Sequence, residues 1–165
     1  DNGMCGEVLN SLSPGWPAMN LGTIHALDRV DRVTVLPNDF EDTYSLNPGD
    51  PGDAGQDVDG DGVPNRDEYI AGTSPRDGGD YLRMTQSLAT PTGIVIRFTT
   101  KNLREYGIWY DNDPLVNMTW LPATNGIPGT GGIRTWVDDG AVTEPHPLDS
   151  TVTQRFYRIE VSLPQ

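Results

Sequence analysis

The residues best equipped for chemistry lie in one stretch, Asp57-Val58-Asp59-Gly60-Asp61-Gly62-Val63-Pro64-Asn65-Arg66-Asp67-Glu68. It fits the calcium-loop pattern D-x-[DN]-x-[DN]-G-x5-E at every specified position. A hard cation takes six to eight oxygen ligands, and a twelve-residue loop can supply them. Asp57, Asp59 and Asp61 offer carboxylates at alternate positions, and Gly62 permits the sharp turn. The Val63 carbonyl is expected to point inward, Asn65 to reach the ion through water, and Glu68 to close the shell with both oxygens. Because every donor is oxygen, the expected ion is Ca²⁺. The alternative is a solvated acidic turn. Against it, twelve carboxylates between Asp39 and Asp80 face only two cationic side chains, Arg66 and Arg76.

The elements that must position these ligands are legible on one side only. Pro64 can open a helix where its missing N–H costs nothing, and Gly72 can end it in the left-handed conformation. The helix between them spans about two turns, too short to be stable alone. Ligation by Glu68 and burial of Tyr69 and Ile70 must hold it. The preceding Pro48-Gly49-Asp50-Pro51-Gly52-Asp53-Ala54-Gly55 cannot be helical. A loop with an exiting helix and no entering one does not suit a sensor that opens and closes between two helices.

The segment is also a repeat. Leu36-Pro37-Asn38-Asp39-Phe40-Glu41 aligns with Val63-Pro64-Asn65-Arg66-Asp67-Glu68, and Pro48-Gly49-Asp50-Pro51-Gly52-Asp53 with Pro75-Arg76-Asp77-Gly78-Gly79-Asp80. Two short helices are expected to pack together, Phe40 and Tyr44 facing Tyr69 and Ile70. The first unit lacks a working loop: Val30, Arg32 and Thr34 stand where the second has Asp57, Asp59 and Asp61. One complete site is therefore expected, with residues 28–36 a strand and Glu41 a helix-surface carboxylate or a group behind the ligands. Asn47, Asp50, Asp53, Asp77 and Asp80 are candidates for additional metal ligation between the units, or for capped Asx turns.

Residues 36–80 resemble the thrombospondin type 3 repeat-like (half EF-hand) calcium modules of secreted bacterial proteins. The likeness rests on Asp57 through Asn65 followed by Glu68-Tyr69-Ile70-Ala71-Gly72-Thr73-Ser74-Pro75. Such modules are often followed by a small β-sandwich whose last strand is similar to Gln154-Arg155-Phe156-Tyr157-Arg158-Ile159-Glu160-Val161. The resemblance implies an extracellular, calcium-rigidified structural or adhesive module. The first loop departs from the pattern, which leaves the ion count open.

Composition agrees with that class. The net charge of −13 opposes nucleic-acid binding and anionic membranes and suits cation binding. No apolar run approaches the ~18–20 residues of a membrane span. A start at Asp1 rather than Met is expected of a mature secreted protein whose signal peptide has been removed. Cys5 is alone, so no internal disulfide forms; it reads as a small buried hydrophobe or an intermolecular bridge. His25 has no metal-type spacing to Cys5 or His146. The chain lacks G-x-S-x-G, H-E-x-x-H and a phosphate-cradling glycine loop, and its carboxylates gather where a cation needs them. It is not expected to be an enzyme.

The expected fold is mainly β: an antiparallel β-sandwich of the immunoglobulin or fibronectin-III kind, preceded by a calcium-loop module with two short helices. Residues 1–35 form an N-terminal arm with one or two strands, 36–80 the calcium module and 81–165 the sandwich. Its strands are expected at Leu82–Gln86, Gly93–Thr99, Tyr106–Tyr110, Met118–Leu121, Ile133–Val137 and Gln154–Val161, with Asp138–Thr151 an exposed loop. Trp109, Trp120 and Trp136 are candidates for a sugar platform or for packing, and Asn117-Met118-Thr119 is the one glycosylation sequon. Two functions fit. One is a structural subunit self-associating into a filament or surface layer, joined by addition of the β-capable residues 19–27 to a neighbour's sheet. The other is a secreted glycan- or protein-recognition module; a dockerin variant of it would need two intact loops.

Overall fold

The computed structural model describes residues 36–112 and 119–164. The expectations for Cys5, His25, Arg32, the strand at 28–35, the linker strand 19–27 and the Asn117 sequon lie outside them.

The described residues are mainly β, with two antiparallel three-stranded sheets and two short α-helices. No described helix is long and apolar enough to cross a membrane. The helices α1 (Asn38–Tyr44) and α2 (Asn65–Ala71) begin and end at corresponding positions of the two repeats. Each starts after a proline in extended conformation, Pro37 or Pro64. Each ends on a left-handed residue, with the next amide reaching back to the buried glutamate's carbonyl. Leu46 N donates to Glu41 O at 2.8 Å, and Thr73 N to Glu68 O at 3.0 Å. Phe40 meets Tyr44 and Tyr69 at ring-centroid distances of 4.8 and 5.2 Å, so the helices pack through the expected aromatics.

The left-handed residue is Gly72 in the second unit but Ser45, at φ 55°, in the first. A Cβ there is strained. Ser45→Gly is expected to stabilise the protein by about 0.5 kcal/mol after the entropy that glycine adds to the unfolded chain. Thermal melting should show a rise of about 1–2 °C; a fall would mean that the serine side chain contributes more than the strain costs.

The strands are β1 (Met84–Thr90), β2 (Gly93–Thr99), β3 (Glu105–Asp111), β4 (Leu121–Pro128), β5 (Ile133–Asp138) and β6 (Phe156–Ser162), in sheets ordered β1-β2-β5 and β4-β3-β6. Period-two alternation sends Ile94, Ile96 and Phe98, then Tyr106, Ile108 and Tyr110, then Tyr157, Ile159 and Val161 into one shared core. Ile70 and Ala71 of α2 belong to the same core, so this helix is packed against the sheets.

Two expectations need correction. The fourth strand is Leu121–Pro128, downstream of the expected Met118–Leu121. Pro122, Asn125, Gly126 and Pro128 read as a turn, yet β4 is an edge strand where missing donors and irregular register are tolerated. The 138–151 connection is also not wholly exposed. Thr143 is buried, and the fully buried Arg155 donates to Asp138 Oδ2 and Thr143 Oγ1 at 2.9 Å, to Asn112 Oδ1 at 2.9 Å and to the Pro145 carbonyl. Tyr157 Oη donates to the same Asp138 oxygen at 2.6 Å, and the Glu144 amide to Tyr110 Oη at 3.0 Å. The connection is thus pinned to one end of the sheets.

At the other end, guanidinium groups tie both helices to segments downstream in the chain. Arg76 donates to the Tyr44 and Ser45 carbonyls, both at 2.8 Å, satisfying the C-terminus of α1. Arg104, in the β2–β3 turn, does the same for α2 through the Ile70 and Tyr69 carbonyls. Lys101 pairs with Asp80. A helix C-terminus presents unsatisfied carbonyls and partial negative charge, so each contact is favourable on both counts.

Candidate metal centre

The loop leading into α2 places Asp57, Asp59 and Asp61 so that one carboxylate oxygen from each lies within 4.8 Å of the others. The turn is made by its own amides. Gly60 N and Gly62 N donate to the two Asp57 oxygens at 2.8 and 2.9 Å, and Val63 N donates to Asp61 Oδ1 at 2.8 Å. Gly60 and Gly62 hold φ of 80° and 95°, a conformation that excludes most side chains and brings the three carboxylates to one side. From the second repeat's tail, Gly78 closes over the loop: a Cβ there would meet Asp61 Cβ at 3.3 Å.

Glu68, in the middle of α2, is not among the three residues whose oxygens meet within 4.8 Å, but it lies close enough for their charges to act on it. It is 0% exposed, and neither of its carboxylate oxygens has a hydrogen-bond partner. Burial, then the charges of Asp59, Asp61 and Asp57, push its pKa up to about 8, with the Thr73 hydroxyl working the other way. A carboxylate removed from water beside three others needs a proton or a cation. Asp59 Oδ2 is a further buried oxygen without a hydrogen bond. This donor set fits Ca²⁺: all oxygen, high in negative charge, and carrying the unsatisfied acceptors that a cation would fill.

The other sequence-derived candidates divide. Val63 is buried and tightens the turn through its amide. Asn65 is buried at the base of the loop, its own amide donating to Gln56 O and its side-chain Nδ2 to Asp53 O, both at 2.8 Å. Asn47, Asp50 and Asp77 each accept from the amide two residues on, at 3.1, 2.9 and 3.0 Å, as Asx turns do. Asp80 is paired with Lys101. Asp53 is buried, one oxygen accepting from Asn47 N at 2.8 Å.

Of the two places expected for Glu41, on the helix surface or behind the ligands, the first is overturned: it is 1% exposed, with Oε2 unpartnered. Its equivalence to Glu68 in the repeat is the signal for burial in the sequence. The loss of the matching Asp loop argues against reading it that way.

The tryptophans are in use. Trp136 packs edge-on against Tyr157 at 6.0 Å, while the Arg158 guanidinium lies 5.5 Å from the Trp109 ring and 5.1 Å from the Trp120 ring. No family model, curated protein or solved structure matches the chain.

Proposed function

We propose that this chain is a calcium-stabilised structural subunit of an extracellular assembly, a filament or surface layer. In this reading residues 36–80 are a thrombospondin type 3 repeat-like module with Ca²⁺ held by Asp57, Asp59, Asp61, the Val63 carbonyl and Glu68. The two sheets are a sandwich of the immunoglobulin or fibronectin-III kind. The observation that carries the reading is Glu68, buried with two unsatisfied oxygens against three aspartates. The ion's part is structural. It neutralises that cluster, fixes α2, and through Ile70, Ala71 and Arg104 sets the module against the sheets.

Assembly by strand addition is supported by the sheet edges. Edge β4 is blocked by Pro122, Pro128 and its irregular register. The opposite edge, β6, has neither proline nor lysine, and Phe156, Tyr157, Arg158, Ile159 and Val161 are buried although the strand pairs on one side only among the described residues. Such an edge suits an added strand, and residues 19–27 with Leu21 and Ile24 provide one. Repetition of that contact from copy to copy gives a filament. The competing arrangement has the same segment folding back onto its own sheet. As for glycan recognition, Arg158 already occupies the ring faces that a sugar would stack on.

Deleting residues 1–27 separates the arrangements. Addition between copies predicts a folded monomer that no longer polymerises under the electron microscope. Folding back predicts a destabilised sandwich. Filaments from the truncated chain would sink the role assigned to this segment.

A further inference from the structure

We infer that the chain holds a second divalent cation at the junction of the two repeats, bound by Glu41 of α1, Asp53 of the single helical turn Asp53–Gly55, and Asn65 of α2. Its identification as Ca²⁺ rests on the reading of the 57–68 loop; the site itself does not need that loop to be loaded.

Three elements deliver one unsatisfied oxygen each. Glu41 Oε2, Asp53 Oδ1 and Asn65 Oδ1 are all buried and all lack a hydrogen-bond partner. Asp53 links the three: its charge acts on Glu41, and its main-chain carbonyl holds the Asn65 side chain. Its other carboxylate oxygen is fixed by Asn47 N, and its carbonyl by Asn65 Nδ2, both at 2.8 Å. The second bond also settles which way the Asn65 amide points, because turning it over would lose that bond. Burial and the neighbouring charges of Asp53 and Asp42 raise the pKa of Glu41, so the two carboxylates act on each other out of water. None of the ion pairs found among the described residues involves either of them. Arg76, the cation reaching this helix end, is committed to the Tyr44 and Ser45 carbonyls.

A proton on Glu41 could relieve the repulsion, but it would satisfy one acceptor and leave the others bare. A cation answers all three at once, including Asn65, a neutral group whose orphaned acceptor a proton on Glu41 leaves unanswered. The repeat then has a simple logic. Its first unit has no loop carboxylates at Val30, Arg32 and Thr34, yet Glu41 remains useful because Asp53 of its own unit and Asn65 of the second come to it.

The test is calcium stoichiometry on the full chain after chelator dialysis, by native mass spectrometry and by calorimetry in about 0.15 M salt, which screens loosely held surface ions. The wild type should take up two ions per chain. Glu41→Gln and Asp53→Asn, both nearly isosteric, should each retain one, as should Asp59→Ala with Asp61→Ala. Two ions in Glu41→Gln would overturn the site. So would a single wild-type ion that vanishes in the Asp59, Asp61 variant, and that result would leave the loop reading intact. A single ion lost in Glu41→Gln and kept in the Asp59, Asp61 variant would uphold the site and refute the loop instead.

Discussion

Removal of calcium is expected to cost this protein several kcal/mol at neutral pH, and acid is expected to return part of it. One ion present at a hundredfold over its Kd adds about 2.7 kcal/mol, and extracellular modules bind with Kd on the order of 10⁻⁴–10⁻³ M. For a domain of this size that amounts to about 5–11 °C in Tm. Without the ion, Glu68 decides the pH dependence. Its folded pKa of about 8 lies above the ordinary value of 4.5. Between those limits the folded state holds a proton that the unfolded state has released, so stability falls as pH rises and levels off above about 8. The whole span is worth at most about 5 kcal/mol. Calcium reverses the sign, because the ion needs the deprotonated carboxylate and its binding expels the proton. Apparent affinity should weaken by up to about tenfold per pH unit on going below 8. Melting curves at pH 5.5 and 8.5, with calcium and with chelator, give the four required numbers. A chelated protein that melts higher at pH 8.5 than at 5.5, or a calcium affinity unchanged by Asp59→Ala with Asp61→Ala, would remove Glu68 and its loop from the metal site.

That site is legible because its chemistry is local. Twelve consecutive residues hold the candidate ligands, and the alternation of aspartate with glycine states both the charge and the turn. The helices can be read from the repeat, since Pro37 and Pro64 mark equivalent starts. Strands β2, β3 and β6 can be read from Ile94-Ile96-Phe98, Tyr106-Ile108-Tyr110 and Tyr157-Ile159-Val161, apolar at every second position where they face the shared core. Where the determining contact is distant, the local sequence misleads. Nothing near Glu41 in the chain announces that it will be buried with the charge of Asp53 acting on it. Strand β4 carries the residues of a turn and is a strand only because β3 offers it a partner. The polar stretch after Asp138 has the composition of a solvent loop, and what buries Thr143 is an arginine twelve residues further on.

That arginine sets the second large effect. Arg155 and Asp138 are both 0% exposed, and their pair, at 2.9 Å, is completed by Thr143, Asn112, Pro145 and Tyr157. Two charges taken from water are tolerable only while every lone pair and proton is answered, and here the network answers them. Arg155→Met keeps the length and apolar bulk of the side chain but strands the Asp138 carboxylate in the core. The expected loss is about 3–5 kcal/mol, much of it the penalty of the orphaned charge. Adding Asp138→Asn should recover part of it, so that the double variant is less damaged than the sum of the singles. The position of the network sharpens the test. Asp138 pairs with Ile94 at one end of β2, whereas Asp80, at the end of the segment that carries the proposed metal loop, pairs with Lys101, beyond Thr99 at the other end. Sites so separated, sharing no side-chain partner, should contribute additively within about 0.3–0.5 kcal/mol. Chelation should therefore cost Arg155→Met as much as it costs the wild type, and the variant should bind calcium with unaltered stoichiometry. A variant that keeps wild-type stability would show that the pair is not what holds the 139–155 connection. A variant that loses its calcium would show that the two ends of the sheets are coupled.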